Sequence, residues 1–151
     1  MMIFDRTSED VKKAKQIREE KVMTFQELTA EEAEIMERGT ITINTLNRIE
    51  DKQAELKSLI NNMGYWNTPT INKNWEYTQI FDEAEFQRIV NNTNILREAF
   101  FVYVDTPKTP SVSYRYNDIN ALEKILVDIE KMIDDVKSYY RECGDIVCGE
   151  Q

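Results

Sequence analysis

Three segments of the chain repeat one spacing of residues, three and four positions apart in alternation. On an α-helix this spacing gathers the side chains into a narrow stripe. The stripe residues are Leu46, Ile49, Gln53, Leu56, Ile60 and Met63 in the first segment, Phe86, Ile89, Thr93, Leu96 and Phe100 in the second, and Ile119, Leu122, Leu126, Ile129, Ile133, Val136 and Tyr140 in the third. Because a helix cannot bury such a stripe alone, the stripes must face one another or face other copies of the chain. The pattern therefore predicts a mainly α protein, a helical bundle of three heptad-patterned helices preceded by N-terminal helices.

The three segments also match residue by residue. Residues 46–50 (LNRIE) align with residues 86–90 (FQRIV) and with residues 119–123 (INALE). Amphipathic helices share such a pattern without common origin, so a threefold repeat and three independent helices are both open, and both lead to the same architecture.

Two stripe positions are polar. Gln53 and Thr93 occupy places where a polar side chain lowers stability but can set register or oligomeric state through a mutual hydrogen bond. The alternative is that both lie at a solvated edge. We predict that packing and assembly depend on these two residues and on Leu46, Ile49, Leu56, Phe86, Ile89, Leu96, Ile119, Leu122, Leu126 and Ile129.

The N-terminal part of the chain has its own helix signals. A helix is predicted to begin near Ser8, and residues 29–32 (TAEE) form a capping-box pattern for a second helix that Gly39 would end in the left-handed conformation. The first helix has few apolar residues, so it lies loosely on the body or meets a partner surface. We predict an N-terminal helical attachment segment over 1–40 and, over 41–151, a three-helix body with a Trp-containing loop and a Gly-containing tail.

Two shorter features complete the organisation. Residues 100–104 (FFVYV) form a short strand-like run, and apolar and polar side chains alternate in residues 111–116 (SVSYRY). The two segments could pair as a small β-hairpin around the Pro-containing connection between them. Cys143 and Cys148 near the end of the chain could form a disulfide or half of a metal site. Because the first residues lack the apolar core of a signal peptide, we expect no export and reduced thiols.

Composition narrows the function classes. With 28 acidic and 19 basic side chains the net charge is −9, which argues against nucleic-acid binding. Histidine is absent, which removes the commonest general base and the commonest nitrogen ligand of transition metals. No apolar run approaches the roughly 20 residues that span a bilayer. We therefore predict no enzyme, no cofactor, no metal site and no membrane insertion.

The loop that follows the first repeat helix is rich in aromatic residues. Tyr65, Trp66, Trp75 and Tyr77 could form a flat platform for a glycan. The alternative is that the rings anchor a long loop on the bundle, where each buries a large apolar area.

Four stretches carry a resemblance to a known group. They are TINTLNRIE, the loop from GYWNTP to NW, FQRIVNNTNILR, and YNDINALEKILVDI with the terminal YRECGDIVCGE to which it leads. With them, most of residues 40–150 resembles small tail or baseplate structural proteins of tailed phages and prophages of Gram-positive hosts. The resemblance implies a virion component that is assembled in the host cytoplasm, forms a homo-oligomer, contacts other phage tail proteins and performs no chemistry.

A phage tail or baseplate structural protein is thus the function we expect from the sequence. One alternative is a carbohydrate-binding module of a host-recognition fibre, with Trp66 and Trp75 as its platform. Another is a phage-encoded acidic soluble inhibitor that blocks a nucleic-acid site on a host protein.

Overall fold

Five α-helices make up most of the chain in a computed structural model, which confirms the predicted mainly α class. The structure describes residues 1–72, 74–76, 78–79, 81–111 and 115–144, with side chains described through Tyr139. Predictions for Tyr77, Cys148 and the side chains of Tyr140 and Cys143 lie outside this part. The helices are α1 (Ser8–Glu20), α2 (Ala30–Gly39), α3 (Ile43–Asn62), α4 (Glu83–Ala99) and α5 (Tyr116–Gly144), with a short 3-10 helix (Val22–Thr24) after α1.

Short polar side chains begin the helices where the sequence places them. Thr29 caps α2, and Glu32 returns a hydrogen bond to the Thr29 main chain, which is the predicted capping box. Helix α1 has the same box one residue earlier than expected, with Thr7 rather than Ser8 at the cap. Asp82 caps α4 by accepting a hydrogen bond from the Glu85 main chain at 3.0 Å.

The two glycines that follow predicted helices have different roles. Gly64 ends α3 with φ +88°, the left-handed conformation that glycine adopts without strain. Gly39 is helical, so its predicted left-handed conformation is wrong. A Cβ at Gly39 would collide with the Asp10 carbonyl oxygen and with the Ala14 side chain. Glycine is required there because α1 and α2 pack in close contact.

Helices α3, α4 and α5 run parallel to one another. On α3, Glu50 and then Gln53 meet Arg88 and then Thr93 of α4. Along the same helix, Arg48 and Lys52 meet residues 123 and 130 of α5. Since both sets of contacts progress in one direction, two long connections, residues 63–82 and 100–115, must return along the bundle.

The stripes form one core in which matched positions of the three segments are all buried. The matched sets are Leu46, Phe86 and Ile119; Ile49, Ile89 and Leu122; Gln53, Thr93 and Leu126; Leu56, Leu96 and Ile129; Ile60, Phe100 and Ile133. The residue match between the segments is therefore also a spatial one. Met63 and Val136, at the ends of two stripes, are partly buried.

The polar pair in the stripe is joined inside this core. The Gln53 side-chain amide donates to the Thr93 hydroxyl and to the Ile89 carbonyl, both at 2.9 Å. Both side chains are fully buried, so the solvated-edge alternative does not describe them.

The possible β-hairpin is not formed in the described residues, which include no β-strand. Residues 101–103 have no regular structure, and residues 104–106 form a turn and bend, closed by a bond from the Thr106 main chain to the Tyr103 carbonyl at 3.1 Å. The opposing residues 112–114 lie outside the described part. None of the helices in the described ranges has the length and apolar character needed to cross a membrane.

A charge in one core layer should unfold the protein. Replacing Ile89 or Leu122 with Asp places a carboxylate among fully buried apolar side chains. The expected loss of several kcal/mol is comparable to the whole unfolding free energy of a small domain, about 5–15 kcal/mol. Circular dichroism and thermal melting would check this, with Asn91→Asp on the exposed face of α4 as the control. Normal folding of either core variant would contradict the packing described above.

Candidate functional site

Two asparagines at matched positions each bind the main chain of a segment that has no regular secondary structure. On α3, Asn47 accepts a hydrogen bond from the Trp75 amide at 2.7 Å and donates to the Trp75 carbonyl at 3.3 Å. On α5, Asn120 accepts from the Arg6 amide at 3.1 Å and donates to the Arg6 carbonyl at 2.9 Å. Each asparagine thus satisfies both polar main-chain groups of one residue.

A buried carboxylate follows the first asparagine by one helical turn. Glu50 is fully buried on α3 and accepts a hydrogen bond from the Trp75 indole and one from the Asn72 amide, the latter at 2.9 Å. Arg88 of α4 donates to both Glu50 oxygens, and its guanidinium lies 5.9 Å from the centre of the Trp75 ring. The hydrogen bond to Glu50 raises the pKa of Arg88 above its ordinary value, while partial burial opposes the rise.

The same arrangement recurs on α5. Glu123 is fully buried and accepts hydrogen bonds from the Arg6 guanidinium at 2.9 Å and from the Ile3 amide. Arg48 of α3 donates to Glu123 at 2.8 Å and thus takes the place of Arg88 in the first arrangement. In both arrangements, the carboxylate accepts a hydrogen bond from the side chain of the residue whose main chain the asparagine binds. It accepts another from the main-chain amide three residues earlier.

Residues 3–6 therefore occupy on α5 the place that residues 72, 74 and 75 occupy on α3. We call these two segments the arms. The arm that ends at Trp75 precedes α4, whereas the arm at 3–6 is separated from α3 by α1 and α2. The α1–α2 hairpin is thus an insertion between the first arm and its helix, which explains why the first forty residues do not follow the repeat. An ion pair holds the hairpin to α3, because a Glu37 carboxylate oxygen of α2 lies 2.7 Å from the Arg48 guanidinium of α3.

The tip of the α1–α2 hairpin exposes three large apolar side chains, Val22, Met23 and Phe25. Phe25 is 97% exposed and has φ +56°, the left-handed conformation that glycine usually supplies at such a helix end. The Phe25 main-chain amide donates a hydrogen bond to the Val22 carbonyl at 3.2 Å, and the Gln26 amide donates one to the Lys21 carbonyl at 2.9 Å. A bulky residue in this conformation costs about 1–2 kcal/mol. Because its ring gains no burial in return, the strain points to a role for Phe25 outside the folded chain.

A second exposed apolar surface lies where α3 and α4 end. The Tyr65 ring packs edge-on against Phe100 at 5.3 Å and against Phe101 at 6.0 Å, between ring centres. Trp66 is 85% exposed and Phe101 is 58% exposed. We call Tyr65, Trp66 and Phe101 the aromatic end. The hairpin joins the other end of α3, whose 20 residues rise about 30 Å.

The two tryptophans do not share a platform. Trp75 is buried, bonds Glu50 and packs edge-on against Phe81 at 5.8 Å, so it anchors the loop. Trp66 alone is exposed, and Tyr65 is about half-exposed beside it. Of the two interpretations of this loop, anchoring therefore describes Trp75, and the alternative of a glycan platform shared by Trp66 and Trp75 does not describe the structure.

The buried carboxylates of the described residues all have hydrogen-bond partners. Glu50 and Glu123 are surrounded by arginine and main-chain donors, and Asp128 accepts a hydrogen bond from the Thr106 hydroxyl at 2.9 Å and pairs with Lys124. Among the described residues, no group of three acidic or cysteine side chains is placed to hold a metal ion. The buried polar groups described here hold the arms to the three-helix body of α3, α4 and α5, which we call the trunk.

Comparisons with family models, curated proteins and solved structures gave no match. The argument about function therefore depends on the surfaces of the molecule. Two of them expose apolar side chains, namely the tip of the hairpin that precedes α3 and the aromatic end where α3 and α4 end.

Removal of Arg88 should destabilise the fold strongly. The Arg88→Met variant leaves the buried Glu50 carboxylate without its cation, which costs about 3–5 kcal/mol. Lys15→Met is the matched control, because Lys15 is exposed and its only ion pair in the described residues, with Glu19, spans 4.0 Å. This control should change stability by no more than about 0.5 kcal/mol. Urea unfolding would measure both, and equal stability of the two variants would contradict a structural role for the buried pair.

The hairpin should weaken in acid. The Thr7 main-chain amide lowers the pKa of Asp10, and the Lys21 ammonium together with the Thr29 amide lowers the pKa of Glu32. A carboxyl group whose pKa is lowered by folding stabilises the folded state when the pH is above its ordinary pKa. This contribution to the unfolding free energy is lost as the pH falls through the lowered pKa. From about pH 5 to about pH 3 the unfolding free energy of Asp10→Asn/Glu32→Gln should therefore fall less than that of the natural chain.

Denaturant unfolding across this pH range would make the measurement. Glu31→Gln/Glu34→Gln is the matched control, since it removes two exposed carboxylates of α2 that make no hydrogen bond or ion pair within the described residues. It should keep the pH dependence of the natural chain. Identical pH dependence in both double variants would show that the two caps do not contribute.

Proposed function

We propose that this chain is a structural protein of a phage tail or baseplate that connects partner proteins and performs no catalysis. The observation that supports this best is the strained, almost fully exposed Phe25 at the hairpin tip. Strain that the fold retains without local benefit is typical of residues that act in recognition. The sequence resemblance to small tail and baseplate proteins supplies the biological setting.

The distribution of the exposed apolar side chains supports a connector. The hairpin that carries the tip joins the start of α3, and the aromatic end lies where α3 and α4 end. Large exposed aromatic residues are favourable anchors in protein interfaces because they bury much area and lose little conformational entropy. A chain with one such anchor at each end is suited to joining two neighbours in a symmetric assembly.

The trunk is suited to fixing the distance between the neighbours. Glu50 and Glu123 each tie two helices and one arm together, and the Gln53 to Thr93 bond sets two helices in register. Buried polar networks of this kind specify one arrangement rather than many.

Mass spectrometry of density-purified phage particles, from the source that carries this gene, tests the proposal. We expect the chain in a fixed ratio to the major tail protein, a ratio that also gives the copy number and symmetry. Absence from particles despite expression would contradict the proposal and favour the soluble inhibitor.

Two variants test whether the two ends carry the contacts. Phe25→Asn removes the ring and places a residue that tolerates the left-handed conformation, so it should fold at least as well as the natural chain. Trp66→Ala removes the exposed ring of the aromatic end. Each should lower incorporation into particles about tenfold or more, as loss of an interface anchor does. Asn91→Ala, at an exposed position in the middle of α4, is the control and should be incorporated normally.

A further inference from the structure

A groove with a basic rim lies between the α1–α2 hairpin and the first turn of α5, with a volume of about 580 Å³. Four arginines line it, which are Arg6, Arg18, Arg38 and Arg115. The described lining includes no carboxylate. On a chain with a net charge of −9, this concentration of guanidinium groups stands apart from the rest of the surface.

The four arginines differ in how far their charge is already neutralised. Arg6 is buried on Glu123, and Arg38 pairs with Asp5 at 3.2 Å and with Asp10 at 3.5 Å. Arg18 and Arg115 are exposed and make no ion pair within the described part of the chain. These two cations are therefore available to an anionic ligand.

The remaining lining restricts what kind of anion fits. Val11, Ile41 and Ile119 supply an apolar floor between the arginines. The first turn of α5 also lies in the groove, and the positive end of a helix dipole favours negative charge there. A ligand that matches both properties carries carboxylates and apolar side chains together.

A second groove of about 740 Å³, near the start of the chain, shows the contrast. Its cations are already paired within the protein, because Arg48 binds Glu37 and Glu123, and Lys52 binds Glu55 and Glu130. The protein's own carboxylates therefore neutralise the cations of the second groove. At the first groove, Arg18 and Arg115 have no such partner within the described residues, so a ligand could supply the carboxylates.

We propose that the arginine groove binds a partner segment in which acidic residues alternate with apolar ones. The inference rests on the proposed function in one respect, namely that the ligand is a protein. Arg18 lies on the last turn of α1, so the groove leads towards Val22 and Phe25 at the hairpin tip. A single partner can therefore contact the groove and the tip together. Nucleic acid fits less well, because the net charge of −9 on the chain repels a long polyanion.

Fluorescence anisotropy with the purified full chain tests this groove. The probe is a labelled synthetic peptide of alternating glutamate and leucine, and a peptide of alternating glutamine and leucine is its uncharged match. We expect the acidic peptide to bind more tightly, and its binding to weaken as salt is raised. The Arg18→Gln/Arg115→Gln variant should lower its affinity about tenfold for each charge-assisted bond lost.

Lys13→Gln/Lys137→Gln removes the same charge from exposed positions outside the groove and should retain binding within about twofold. Equal loss in both double variants would overturn the proposal, because the attraction would then be general. Equal binding of the two peptides by the natural chain would also overturn it, as would binding of tripolyphosphate in place of the peptide.

This measurement is independent of the particle assay. Presence in particles without peptide binding would refute the groove alone, and the reverse result would refute only the tail assignment.

Discussion

Two buried carboxylates, Glu50 and Glu123, determine how the rest of the structure is arranged. A carboxylate in an apolar interior is stable only when several donors surround it, and here the donors come from different parts of the chain. Each carboxylate receives an arginine from a neighbouring helix and two groups from an arm, so each binds three elements at once. The parallel order of the helices and the position of the arms both follow from this requirement.

The two arrangements are related by the same match that aligns the repeat segments. Arg88 reaches from α4 to α3, and Arg48 reaches from α3 to α5. On α5, Ala121 stands at the position of the two arginines, and on α4, Val90 stands at the position of the two glutamates. The third pair, from α5 to α4, is therefore uncharged. The trunk is thus close to threefold symmetric with one of its three polar junctions replaced by apolar residues. An apolar pair of this kind can be as stable as the ion pair it replaces, so the loss is tolerated.

The sequence was informative where the physics is local. Helical spacing showed which residues are buried, because the period of a helix decides which side chains share a face. The capping box at residues 29–32 showed where α2 begins. The direction of the helices could not be read in this way, since a stripe is the same in either orientation. Asn47, Glu50 and Arg88 look like solvated surface residues until Trp75 is placed beside them. The different fates of Trp66 and Trp75, in one loop and with the same side chain, depend on that one distant carboxylate.

The insertion of the α1–α2 hairpin suits a division of roles within the molecule. Its removal from the sequence would leave an arm followed by a helix, as in the second unit, so the trunk does not need it for its core. The hairpin has its own close contact at Gly39 and Ala14 and its own caps, and it carries the one strained aromatic residue of the described chain. Strained residues of this kind cluster at sites of recognition and at switch regions. The proposed function therefore assigns recognition to the inserted hairpin, and spacing and rigidity to the trunk that supports it.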